Sequence, residues 1–187
     1  MTYTETYRDQ LIGTLNGLDL SKVDQAIAWL TEARDHGKTI FMTGNGGSAA
    51  SASHFVCDML KGASFQKEKR FKILSLHDNM PTLTAYANDV DYHDAALEQL
   101  KNFAAPGDVV IALSGSGNSP NVLRAIEYAN SIGCKTIGLT GRNGGKLGPL
   151  VQLQIHTPEP HMGRIEDAHM IALHMICYQF MDLKTTS

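Results

Sequence analysis

Two short segments of this chain hold almost nothing but glycine, serine and asparagine, the residue types that let a backbone close on an anion. Gly44-Asn45-Gly46-Gly47-Ser48 follows the apolar run Thr39-Ile40-Phe41-Met42-Thr43. Ser114-Gly115-Ser116-Gly117-Asn118-Ser119 follows Val109-Val110-Ile111-Ala112-Leu113. Glycine permits close approach of main chain to ligand, and serine hydroxyls together with the free N–H groups of a helix start bind phosphate. Neither segment contains Lys or Arg, so the anion would rest on neutral donors and helix dipoles. One such segment is an ordinary strand-to-helix turn. Two point to a phosphorylated polyol held at both ends. The first lacks the third glycine of a dinucleotide fingerprint, and neither runs into the Gly-Lys-Ser/Thr of a P-loop; Gly144-Gly145-Lys146-Leu147 fails that test as well.

Titratable residues form a second set. His54 and Asp58 are four apart in a helical pattern and so share a face. Glu166 and His174, eight apart on the last helical stretch, also fall near one face. Two carboxylates and two imidazoles make a reasonable shell for a zinc-type divalent cation. From spacing alone, a surface His–Asp pair and a buried hydrogen-bonded His fit equally well. His169, three after Glu166, is a rival ligand. His36, His77, His93, His156 and His161 have no partner at ligand spacing and read as structural or solvated. Asn88-Asp89 ends a short helix, where such residues favour a turn. Cys57 reads as core, without a neighbour that would activate its thiol.

The elements that must position these groups are visible as strand-like runs at 38–43, 71–76, 108–113, 135–140 and 152–156. Helical patterns lie between most of them, at 48–61, 91–103 and, most clearly, 119–132, which Gly133 stops. Such alternation implies βαβ units in a mostly parallel sheet, which binds ligands beyond the carboxyl ends of its strands. Both Gly/Ser segments sit on that edge. Residues 3–36 read as two helices broken near Gly17-Leu18-Asp19. Residues 164–182 form a long helix apolar on more than one side, as expected for packing against other subunits.

With 187 residues, 43% of them apolar, a single domain with a sizeable core is expected. A net charge of −3 with scattered basic residues gives no nucleic-acid surface. No apolar run approaches the ~18 residues of a membrane span, and the first residues lack a signal-peptide pattern. Cys57, Cys134 and Cys177 have no CxxC spacing and read as buried free thiols in a reducing compartment, so a cytoplasmic protein is expected.

The chain closely resembles the phosphoheptose isomerase family of SIS (sugar isomerase) domains along nearly its full length. The segments that carry the resemblance are 44–50 with His54-Phe55, 87–89, 106–110, 114–122, 139–147 and Arg164-Ile165-Glu166-Asp167-Ala168-His169. It implies a flavodoxin-like five-stranded parallel sheet flanked by helices, one SIS domain over 1–187 with a helical extension at about 1–36, and a homotetramer with terminal helices between subunits. It also implies isomerisation of sedoheptulose 7-phosphate to glycero-manno-heptose 7-phosphate, which feeds nucleotide-activated heptoses of surface glycans. By position, Ser114, Gly115, Ser116 and Ser119 hold the phosphate. Asn45, Gly46, Gly47, Ser48, Asp58, Asn88, Asp89 and Glu166 contact the sugar. His54, Asp58, Glu166 and His174 hold one zinc ion, and Asp58 and His174 are the acid/base pair.

Four positions depart from the family pattern. Asp58 stands where Glu is usual, which sets the carboxylate roughly 1 Å back. Glu166 replaces Gln and adds a negative charge. Gly115 replaces a common Thr, and a polar residue usual just before Arg164 is missing, with Gly163 there instead. Other readings compatible with the resemblance are an isomerase of another phosphosugar, and a non-catalytic SIS regulator that binds the replication initiator. Titratable groups at 58 and 174 favour the enzyme.

Overall fold

The computed structural model describes residues 1–182. Five parallel strands, β1 (Thr39–Thr43), β2 (Lys72–Ser75), β3 (Val109–Ser114), β4 (Lys135–Gly141) and β5 (Leu153–Thr157), form one sheet in the order β2-β1-β3-β4-β5. The expected strands thus appear within one residue of their expected ends. β1 and β3 lie side by side, Thr43 against Ala112, and the chain leaves β1 toward one edge and β3 toward the other. This is the topological switch point, where the carboxyl ends of a doubly wound sheet open a crevice.

Alternation along the strands separates two cores. Ile40, Met42, Ile111 and Leu139 face a cluster closed by α2 (Leu20–Asp35), α3 (Gly47–Cys57) and α8 (Met162–Asp182). Phe41, Val110 and Ala112 face a second one closed by α5 (Ala95–Phe103), α6 (Pro120–Ser131) and α7 (Leu147–Leu150). Strands buried on both faces read as the near-continuous apolar runs seen in the sequence. By contrast, α1 (Tyr3–Asn16) and α4 (Met80–Asp89) bury no residue. Among the described residues no helix is long and apolar enough to cross a membrane.

The expected helix at 48–61 is divided. The α-helical ladder stops at Cys57, and Asp58–Gly62 form a π turn closed by Ala63 N–H donating to the Asp58 carbonyl over 3.0 Å. The wider turn keeps Met59 in the core while Asp58 faces α8. Gly62 packs where a Cβ would collide with Met181 of α8. Single π turns of this kind concentrate at functional sites. The expected helix at 91–103 likewise opens as a 3₁₀ turn, Tyr92–Asp94, before α5. The reading of Cys57 as core does not hold: the side chain is exposed, whereas Cys134 and Cys177 are buried. Cys57 occupies the last position of α3, and the π turn redirects the chain immediately after it.

Candidate functional site

The crevice floor is made by the two Gly/Ser loops. Gly46 and Ser119 are the N-cap positions of α3 and α6, and neither helix start has a side-chain cap. Their first-turn N–H groups, Ser48 of α3 excepted and Pro120 of α6 carrying none, therefore remain available to a ligand, the arrangement that favours an anion. Ser114 ends β3 and is buried; its Oγ accepts from Gly117 N–H over 3.1 Å and lies 3.3 Å from Ser119 Oγ. Ser116 Oγ accepts from Asn118 N–H over 3.2 Å. Ser48, in the first turn of α3, donates its N–H to the Asn45 carbonyl over 3.0 Å. The Ser114 and Ser116 hydroxyls are thus oriented by their own loop.

A third loop, after β4, braces the second. Gly117 has φ +66°, and a Cβ there would overlap the Gly144 carbonyl, so only glycine fits. Leu147 N–H donates to the Gly117 carbonyl over 2.9 Å, and Lys146 N–H donates to Asn118 Oδ1 over 3.1 Å. The same loop brings Arg142 (φ +50°) to line a cleft of about 680 Å³ with Ser116 and Asn118. The sequence reading found no cation within the Gly/Ser loops; the structure supplies one from the neighbouring loop. Its signal in the sequence was only the glycine pair that follows it.

The second part of the site is a cluster of side chains. His54 Nε2 lies 3.1 Å from His174 Nε2 and 3.2 Å from Asp58 Oδ2, and His174 Nε2 lies 3.8 Å from the same oxygen. All three donor atoms fall within 4.8 Å of one another. Zinc bonds of about 2.0 Å in tetrahedral geometry put ligand atoms about 3.3 Å apart. Two nitrogens and one oxygen at these separations suit such an ion, and three protein ligands are the number a catalytic zinc takes. Cys177, one turn after His174, donates its thiol to Asp58 Oδ2 over 3.7 Å. Burial pushes that thiol up to about 12, so it stays protonated and acts as donor.

Glu166 lies elsewhere. Its carboxylate rests over the start of α3, where a Cβ on Gly47 would come within 2.8 Å of Oε1. Eight helical residues span about 12 Å of axis, so sharing a face with His174 does not bring the two to one point. The rival His169 is 2% exposed, its ring bonded to the Thr140 backbone, and burial pushes it down to about 4. It belongs to the core side of α8. Asn88 and Asp89 close α4 and are exposed; Asn88 Nδ2 donates to Asp89 Oδ1 over 2.6 Å. Neither bonds to the Gly/Ser loops among the described residues.

The start of α8 is anchored by Glu159, which accepts from Arg164 Nη2 over 2.7 Å, from Thr14 Oγ1 over 2.8 Å and from His161 N–H over 2.8 Å. Led by the Arg164 contact, these hold its carboxyl down at about 2. Met162 and Ile165, at this anchored end, cover Gly115 so closely that the Thr usual there would have no room without a shift.

An SIS-domain family model matches residues 3–141. The phosphoheptose isomerase of Syntrophotalea carbinolica is 38% identical over 176 residues, 92% of this chain and 89% of that protein. That of Helicobacter pylori is 35% identical over 91% of this chain and 88% of its own. The solved phosphoheptose isomerase of Neisseria gonorrhoeae superposes with a TM-score of 0.88 at 26% identity, over 96% of this chain and 97% of that one.

Proposed function

The chain belongs to the SIS-domain family and, within it, to the phosphoheptose isomerases, and from that premise we propose that it isomerises sedoheptulose 7-phosphate to the aldose glycero-manno-heptose 7-phosphate through an enediol. The observations that carry this reading are an anion cradle of neutral donors at the two loops and a carboxylate–imidazole cluster that begins at His54 on α3, the helix that the first of those loops opens.

In this assignment Ser114, Ser116, Ser119 and the backbone at Gly115 grip the phosphate, with Arg142 beside them. Asn45, Gly46, Gly47 and Ser48 line the sugar, as do Asn88, Asp89 and Glu166. Asp58 takes the proton from C1 of the ketose and returns it to C2. Its Oδ2 faces both histidines and Cys177, whereas Oδ1 has no partner among the described residues, and that free oxygen is the one assigned to the C–H bond. His174 moves a proton between the two sugar oxygens, work suited to an imidazole near neutral pH. Zinc, held by His54, Asp58 and His174, would polarise those oxygens.

We further assign a homotetramer. The exposed Tyr3 and Ile12 on α1, and Met175 and Tyr178 on α8, support burial between subunits. The three unpaired cysteines suit a reducing cytoplasm.

The test is turnover of a panel of ketose phosphates by zinc-loaded protein, followed by NMR. Conversion of the seven-carbon substrate is expected. Folded, zinc-loaded protein that converts only another phosphosugar, or none, would overturn the assignment.

A further inference from the structure

Asn45 and Asn121 form a reciprocal amide pair that neither the phosphate cradle nor the metal cluster uses. Asn45 Nδ2 donates to Asn121 Oδ1 over 2.9 Å, and Asn121 Nδ2 donates back to Asn45 Oδ1 over 2.8 Å. Tyr92 adds its hydroxyl as a second donor to Asn45 Oδ1 over 2.6 Å. Asn121 is 2% exposed. It lies in the first turn of α6, just after the phosphate loop, whereas Asn45 lies in the sugar loop after β1. The Tyr92 turn is itself tied to α6, because Arg124 Nη1 donates to Asp94 Oδ1 over 2.6 Å. Three segments distant in sequence are thus locked at one point, where the sugar loop meets the phosphate loop.

A carboxamide offers two acceptor sites and two N–H donors. In Asn45 both acceptor sites and one donor are engaged inside the protein. A single N–H of fixed direction remains for a ligand. The reciprocal bonds also fix how far the sugar loop stands from the phosphate loop, since Asn45 cannot shift without stranding the buried Asn121 amide, a costly outcome.

We propose that the Asn45–Asn121 pair, held by Tyr92, is a ruler that sets the spacing between phosphate and carbonyl ends and so selects the carbon-chain length of the phosphosugar. The inference rests on the phosphosugar reading above. Asn121 and Tyr92 are positioning residues in it.

The test uses full-length zinc-loaded protein with Asn121→Ala, Asn121→Asp and Tyr92→Phe, and calorimetric binding of inorganic phosphate and of five-, six- and seven-carbon ketose phosphates. Inorganic phosphate engages one end only, and its affinity should stay within about twofold in every variant. Seven-carbon affinity should fall about tenfold in Asn121→Ala and at least as much in Asn121→Asp, whose second carboxylate oxygen would meet the Asn45 Oδ1 acceptor, and least in Tyr92→Phe. The preference for seven over five carbons should narrow in the same order. Folding is checked by urea midpoint; should Asn121→Ala not fold, the other two variants carry the test. An unchanged chain-length preference in folded variants, or equal losses for phosphate and sugar, would overturn the ruler. If wild-type protein binds the sugars with a length preference but turns none over, the isomerase reading fails while the ruler stands.

Discussion

At the phosphate end of the crevice the contacts are main chain on main chain: Gly117 against Gly144, Leu147 N–H on the Gly117 carbonyl, helix starts left uncapped. At the other end, three side chains from α3, the π turn and α8 meet in a partly exposed cluster. The difference has a chemical logic. Phosphate binding needs many weak, fixed dipoles, and no single one is decisive. Proton transfer needs particular atoms, and each is. Single side-chain deletions should therefore be catastrophic at the histidine end and graded at the phosphate end, where only backbone-changing substitutions do comparable harm.

The largest effect should come from His174→Ala. Loss of an acid/base group costs about 10³-fold in turnover, and zinc content measured by mass spectrometry should fall as well. Inorganic phosphate affinity should remain that of wild type; a parallel loss of phosphate binding would break the separation of the two ends. Next is Gly117→Ala, which forces a left-handed backbone and a clash onto the braced loop. A cost of about 3 kcal/mol should lower the melting temperature by about 10 °C and weaken phosphate binding, with zinc content unchanged.

Glu159→Gln tests the anchor of α8 and should cost about 2 kcal/mol at neutral pH, the worth of hydrogen bonds to a charged group. Its carboxyl is held well below the ordinary value in the folded state, at about 2. The stability it contributes is thus complete above the unfolded value of about 4.5 and is lost as pH falls toward about 2. Wild type should lose this increment across that window in urea titrations, whereas Glu159→Gln should not. Equal slopes in the two proteins would contradict the role of the Arg164–Glu159 pair.

The phosphate end was also the more legible in the sequence. Strand-then-glycine-then-serine is a local signal, and the β1 and β3 loops stand where it placed them. The histidine end is assembled from residues more than a hundred positions apart, and spacing on each helix could only offer alternatives. It admitted Glu166 as a companion of His174 because helical periodicity reports faces and not heights along the axis. It admitted His169, which α8 turns into the core. The π turn at Asp58 has no composition signal; it ends at Gly62, whose neighbour Met181 lies on the distant α8. Asn121 lay in plain sight behind the phosphate loop, but its partner Asn45 is 76 residues away, and only the adjacency of β1 and β3 joins them.

The assignment of Asp58 as the carbon base is tested most directly by solvent exchange in D₂O, with proton NMR of sedoheptulose 7-phosphate and its product. Wild-type protein should convert the ketose and introduce deuterium at the carbon that receives the proton. Asp58→Asn should do neither, in preparations where zinc content and phosphate affinity match wild type. Exchange and turnover by that variant at the wild-type rate would contradict the account.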